Sequence, residues 1–355
     1  MIRSFAARGL LLAAHVVFTA LPAVPAHANS PSFVDNQIVI VVGFGAGGGT
    51  DQTGRLLAVY FGKYLPGSPS VIVRNAPGAD GMTAMNYVAQ QTKPDGLTVV
   101  MGSTSQVDPR NFRKAAAKYD PTTFPVVGGF SSGGSVVLIN KDAEARLLDR
   151  SAAPVVMGSN ASLPRNAMQM TLWGNAYLGW NSRWVVGYPG SNELITAMER
   201  GEIDMTATGT LTHIQRLLAS GRFKILTQSG AYRDGQFVSN DEFGGAPVFP
   251  RHMEGKIADR KEAAAFSYWI NLMTTEKWVG LTPGTGDDIT GVYRDTFQKI
   301  AADKEFHAAG QKIREDFVAI PGQDMARLIK ALADTPADAL DFTAGLMEKQ
   351  GLRAK

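Results

Sequence analysis

The chain has no cysteine. Without thiols there can be no disulfides, no thiolate-held metal ions and no cysteine nucleophile, so the fold has to be held by its apolar core. Histidine is scarce as well. Of five, His15 and His27 fall within the first 28 residues, and His213, His252 and His307 are too dispersed to suggest a metal cluster. An excess of one charge is also missing. Setting aside Arg3 and Arg8 in that opening segment leaves 33 basic against 32 acidic side chains. A net charge near +1 with no basic stripe argues against nucleic acid as a partner. There is no low-complexity tract and no repeat of fixed short period. Beyond the N-terminus no uninterrupted apolar run approaches the length of a membrane helix.

What is present begins with an export signature. Residues 1–28 read as a secretory signal: Arg3 and Arg8, an apolar run over 10–21, then Ala26-His27-Ala28 as a cleavage site. A periplasmic location after cleavage is the expectation.

The rest of the chain is organised around residues 37–51, QIVIVVGFGAGGGTD. Five consecutive β-branched apolar residues, Ile38 to Val42, predict a strand covered on both faces. Gly43, Gly45, Gly47, Gly48 and Gly49 follow, and Thr50 and Asp51 open a segment with helical spacing. Strand, glycine loop and helix start together present bare backbone N–H groups beside the positive end of a helix dipole, which is a seat for an anion. The alternation continues with a helix ending at Pro66-Gly67, a strand over 70–74, a helix over 82–91 and a strand over 98–101. That order predicts a parallel sheet with its ligand crevice beyond the strands' carboxyl ends.

At 124–140 two strands follow each other with no helix between, read as a crossing into a second domain. Strands over 154–157, 183–186, 203–207 and 223–227 then alternate with helices over 165–173, 192–200 and 211–220. Residues 230–260 resist reading, and helices over 288–302, 304–313, 323–332 and 337–350 fill the end. The predicted fold class is therefore α/β, with two Rossmann-like lobes and a ligand cleft between them. Domain 1 is discontinuous (29–127 and 228–355), and domain 2 is 128–227.

Three motifs have competing readings. Gly43-x-Gly45-x-x-Gly48 matches the dinucleotide fingerprint, but Arg74 and Asn75 stand where the ribose-binding acid is expected, so no cofactor is assigned. Gly129-Phe130-Ser131-Ser132-Gly133 matches a hydrolase nucleophile elbow, yet strand follows strand where the elbow needs a helix. Asp51 is read equally as a ligand contact or a helix cap. Arg165, at a helix start near the Gly158 loop, is a candidate carboxylate clamp. Trp173, Trp180, Trp184, Trp269 and Trp278 are read as core.

The ordered motifs resemble the Bug/TctC family of periplasmic receptors for tripartite tricarboxylate transporters. Gly43-Phe44-Gly45-Ala46-Gly47-Gly48-Gly49-Thr50-Asp51 resembles the family opening P-F-x-x-G-G-x-x-D, with Gly43 in place of proline. Val73-Arg74-Asn75-Ala76-Pro77-Gly78-Ala79-Asp80-Gly81 resembles V-x-N-x-P-G-A-x-G, and Pro94-Asp95-Gly96-Leu97-Thr98 resembles P-D-G-x-T. In the second domain Val186-Gly187-Tyr188-Pro189-Gly190-Ser191 resembles V-x-Y-x-G-S. Later, Trp278-Val279-Gly280-Leu281-Thr282-Pro283 resembles W-x-G-L-x-P.

The resemblance implies a type II-like periplasmic binding protein without catalytic chemistry. Its lobes would close on a small carboxylate-bearing solute and deliver it to the membrane permease subunits of a tripartite tricarboxylate transporter. It would act as a monomer; sensing for a signalling partner and hydrolysis through Ser131 are the alternatives. The binding residues are expected at Phe44, Gly45, Ala46, Gly47, Gly48, Asp51, Ser103, Thr104, Ser159, Asn160, Ser162, Arg165, Tyr188 and Thr208. No metal is expected.

Overall fold

The β-branched run becomes β1 (Gln37–Val42), with Ile38, Ile40, Val41 and Val42 fully buried. The computed structural model describes residues 31–131, 134–159, 164, 166–188, 191–233, 236–312 and 318–352. The expected signal segment, 1–28, lies outside the described residues. β2 (Ser70–Asn75) and β3 (Thr98–Ser103) run parallel to β1 on either side of it, as the strand–helix–strand alternation requires. The Gly49–Tyr64 helix makes the first crossover and buries Leu57 and Phe61 against this sheet.

β4 (Val126–Ser131) closes the N-terminal half of the first sheet, and β5 (Val136–Asn140) opens the second. The change of sheet therefore falls between Ser131 and Val136, later than the 127/128 boundary read from the sequence. The reason is steric. Gly128 and Gly129 are buried strand residues. A Cβ on Gly128 would lie 2.3 Å from the Phe297 ring, and one on Gly129 would lie 2.3 Å from Met325 Cε. Large core side chains fill the space the glycines leave.

The second sheet collects β6 (Val155–Ser159), β7 (Ser182–Val186), β8 (Met205–Thr208) and β9 (Phe223–Gln228) around β5, in the order β7-β6-β8-β5-β9. β6 runs parallel to β7 and β8, whereas β5 is antiparallel to β8 and β9. In the stretch that resisted reading, β10 (Ala231–Arg233) and β11 (Gln236–Val238) form a small hairpin.

β12 (Lys277–Leu281) and β13 (Val318–Pro321) return to the first sheet, giving the order β13-β4-β12-β3-β1-β2. β12 slots antiparallel between β3 and β4, with Trp278 opposite Gly102. A Cβ on Gly102 would sit 2.2 Å from the Trp278 ring, so the glycine is what admits the indole.

The C-terminal segment does not pack with the first sheet alone. Ala265, Trp269 and Ile270 of the Arg260–Thr274 helix join the core of the second sheet, as do Ala339, Leu346 and Met347 of the Ala337–Lys349 helix. Tyr268, on the same Arg260–Thr274 helix, joins the first sheet's core. Contiguous assignment of 228–355 to one domain follows the chain; the apolar faces of these helices do not.

Of the five tryptophans, Trp173, Trp180, Trp269 and Trp278 are buried, and Trp184 is half-buried with its indole N–H on Gln350. Among the described residues no helix is long and apolar enough to cross a membrane.

Candidate functional site

Strand register locates the loops that the sequence singled out. β1, β2 and β3 are parallel, so Gly43–Gly48, the turn at 76–81 and Ser103 all lie at one edge of the first sheet. β4 points the same way as β3, because both are antiparallel to β12 with Lys277 opposite Ser103 and Phe130. The chain thus leaves the first sheet at that loop-bearing edge. It enters the second where Val136 pairs with Thr208 and Gln228, at the edge carrying the ends of β6, β7 and β8. Five residue steps from Ser131 to Val136 span at most about 18 Å. The two loop edges therefore adjoin the same crossing. Beside it, Ser135 N–H donates to Ser229 Oγ (2.9 Å), and Ser229 N–H returns a bond to Ser135 O (2.8 Å).

The first loop is built as a turn of exposed backbone. Gly45, Ala46, Gly47, Gly48 and Gly49 are exposed, and Phe44 is half-buried. Gly43, which replaces the family proline, is buried: its Cβ would meet Gly81 Cα at 2.7 Å, so close packing of two loops fixes it. Gly47 has φ +84°, a conformation glycine adopts without strain. Gly48 is the N-cap of the Gly49–Tyr64 helix and supplies no side-chain cap. The first-turn N–H groups have no intrahelical acceptor and point outward with the helix dipole. Among the described residues the Gly45 and Ala46 N–H groups also have no acceptor.

Asp51 belongs to the scaffold of this loop. Only 1% exposed, its carboxylate accepts from Gly47 N–H at 2.7 Å, Arg55 Nε at 2.9 Å and Asn75 Nδ2 at 2.8 Å. Asn75 Nδ2 also reaches Phe44 O at 2.9 Å. Burial pushes the Asp51 carboxyl up. The Arg55, Gly47 and Asn75 hydrogen bonds and the Arg55 charge outweigh that and hold it below the ordinary value. Both Asp51 oxygens are engaged inside the loop, so the carboxylate anchors it, and the Gly47 N–H is one of its donors.

Ser103 and Thr104 are likewise engaged within the fold. Ser103 N–H and Oγ both donate to Gln106 Oε1 (2.7 and 2.9 Å), completing a capping box, and Thr104 Oγ1 donates to Thr275 O at 2.8 Å. Both hydroxyls are thus hydrogen-bonded within the fold.

At the other edge Ser159 is fully buried at the end of β6, and its carbonyl accepts from Gly187 and Tyr188 N–H. Thr208 Oγ1 accepts from Thr210 N–H at 3.1 Å, which leaves its own proton free to donate. Tyr188 is half-buried, and among the described residues its hydroxyl has no partner. Burial, and secondarily the Glu202 charge, raises its pKa, so it stays a neutral donor at physiological pH. Asn160, Ser162 and Arg165 lie outside the described residues.

Sequence reasoning missed Asn75, Arg55 and Gln106. Asn75 stands in the dinucleotide acid's place and in the V-x-N motif without a role assigned from sequence, and the structure uses it to lock the loop. Arg74 is turned onto Tyr87, 4.8 Å over the ring. The elbow reading of Ser131 has no support in the order of described elements, since β5 is the next after β4. Among the described residues no group of three His, Asp or Glu could hold a metal ion.

No protein-family model matches the chain. A UPF0065 protein of Bordetella pertussis is 29% identical over 213 residues, covering 56% of this chain and 62% of its own length. A UPF0065 protein of Cupriavidus necator is 42% identical over 97 residues, 27% of this chain and 28% of its own. The chain therefore aligns with less than two thirds of either relative. In structure it is similar to a TctC solute-binding protein from Polaromonas, solved without ligand. The TM-score is 0.65 at 18% identity, covering 88% of this chain and 98% of that one. The chain has the fold of a TctC solute-binding protein. Within the TctC fold, Gly43–Gly48 and the β6, β7 and β8 ends occupy the loop edges of two α/β lobes. Sequence and fold both resemble the Bug/TctC family to which the ordered motifs pointed.

Proposed function

We propose that the chain is an exported, type II-like solute-binding protein that holds a small carboxylate between its lobes and passes it to a membrane permease. One observation carries the reading. The exposed glycine turn precedes a 16-residue helix whose N-cap offers no competing side chain. In this reading the Gly45 and Ala46 N–H groups and the helix's first turn grip one carboxylate. Thr208 and Tyr188 hydroxyls donate from the opposite lobe, and Gly48 lines the seat. The lobes correspond to the two sheets with their helices, hinged where the chain crosses between them at 134–135 and 229–230, and the solute supplies the contact that closes them.

The magnitudes are compatible. Hydrogen bonds to a charged group contribute about 1.5–3 kcal/mol each. A handful, less the cost of association, reaches the ~8 kcal/mol of a micromolar complex.

A thermal-shift screen of mono-, di- and tricarboxylates, followed by titration calorimetry on Gly48→Asp, tests the reading. A Cβ at Gly48 meets only Gly45 O, at 3.5 Å, and its φ of −74° suits any residue, so the variant should fold. The expected result is a carboxylate that stabilises the chain and binds the variant at least about tenfold more weakly, through like-charge repulsion. Unaltered affinity in a folded variant would remove the carboxylate from this seat.

A further inference from the structure

β7 is an edge strand of the second sheet. Its inner side is fixed by Asn181 O accepting from Val155 N–H (2.9 Å) and by Gly187 N–H donating to Ser159 O (3.0 Å). In a parallel ladder alternate residues bond the same neighbour, so Arg183 and Val185 also face β6. Ser182, Trp184 and Val186 then present their N–H and C=O groups outward. Along this edge runs an open trough of about 690 Å³, lined by those three residues and by Arg150, Arg183 and Lys349 and by no residue of the glycine turn. No acidic side chain lines it among the described residues, and none of the three cations has an ion-pair partner there.

The side chains on the trough floor are already satisfied. Ser182 Oγ donates to Asn175 Oδ1 (2.8 Å), and Asn175 Nδ2 and Trp184 Nε1 both donate to Gln350 Oε1. Gln350 Nε2 in turn reaches Leu172 O. The polar groups left on offer are the strand's own backbone and three positive charges. Val186, 41% exposed, supplies an apolar patch beside them.

We propose that the β7 edge is a docking site for an extended, acidic segment of a partner protein, which adds as a further strand and neutralises Arg150, Arg183 and Lys349. Main-chain bonds give such docking its affinity, and the flanking charges choose the partner. The same charges oppose addition of a second copy of this strand, because like cations would be brought together. β7 continues into Gly187 and Tyr188, so an occupant would sit one or two residues from the solute-binding edge.

Fluorescence anisotropy with a capped, labelled Glu-Val-Glu-Thr-Glu-Val peptide tests this. The peptide should bind saturably and more weakly as salt rises, whereas a Lys-Val-Lys-Thr-Lys-Val peptide should not bind. Arg183→Glu with Lys349→Glu should weaken binding at least about tenfold. Arg183→Gln with Lys349→Gln, which leaves the backbone untouched, should weaken it in the same direction. Val186→Pro deletes one outward N–H without removing a ladder bond, and should weaken binding about fivefold or more. Full binding by the charge variants, or by a folded Val186→Pro variant, overturns the proposal. So does competition by inorganic pyrophosphate at the concentrations where the peptide binds, which would leave only an anion site. Self-association of the purified chain through this edge, seen in sedimentation, would overturn it in favour of a second copy.

Discussion

Replacing Asp51 by alanine would leave the Gly47 N–H, the Asn75 amide and the Arg55 guanidinium without their common acceptor. Hydrogen bonds to a buried charge put the expected loss at about 2 kcal/mol, read from denaturant melts, with a larger proportional loss of solute affinity. The pH dependence has a definite sign. The folded pKa lies below that of an unfolded aspartate. The contribution is therefore present above the unfolded value and lost as pH falls through the lowered folded one. The gap between the chain and Asp51→Asn should be widest near neutrality and shrink in acid, and a gap that grew on acidification would contradict the assignment. The exposed glycine turn before a helix was legible because five glycines between an apolar run and helical spacing mark a loop of bare backbone. The fate of each N–H was not. Gly47 donates to a side chain four residues on, and Asn75 holds that side chain from the next strand, a tertiary contact without sequence periodicity.

The turn after β2 and the short Thr104–Val107 helix act as one element, because Gly81 gives up its side-chain volume to Gln106. A Cβ on Gly81 would fall 1.8 Å from Gln106 Nε2, at a φ of +90°. Gly81→Ala should therefore displace Gln106, release its bonds to Ser103 and lower the melting temperature by several degrees, whereas Gly291→Ala, with open space around it, should not. The alternating strands and helices from β1 to β3 were readable because continuous apolar runs and 3.6-residue spacing differ plainly. The Arg260–Thr274 helix and β12 escaped. The helix is apolar on two faces for two separate cores, which blurs its period. In β12 all five residues are buried, so no alternation marks it.

At the scale of the molecule, the proposed closure of the lobes can be measured directly because the chain has no cysteine of its own. Val59 and Leu218 are exposed on helices belonging to different sheets. Val59→Cys with Leu218→Cys, carrying a donor–acceptor dye pair, should show a change in energy transfer when a carboxylate saturates the protein. Binding without any change would remove the hinge from the account. Gly134, at φ +103°, and Gly230, at φ +77°, flank the paired crossings, and a Cβ on Gly230 would meet Val238 O at 2.8 Å. Two lobes were legible from the interrupted alternation of strands and helices. The C-terminal helices are shared out by which apolar face finds which core, a tertiary choice that chain order does not mark.

The placement of β12 also sets an order of events during folding. All five strands of the second sheet lie within residues 136–228, so its hydrogen-bonded ladder can be completed from one continuous piece of chain. The first sheet cannot: β3 and β4 are not hydrogen-bonded neighbours, and the strand between them arrives more than a hundred residues later. Until Lys277–Leu281 threads home, two bare edges stand open in the N-terminal half. A nascent or newly translocated polypeptide would be most prone to aggregate during that interval.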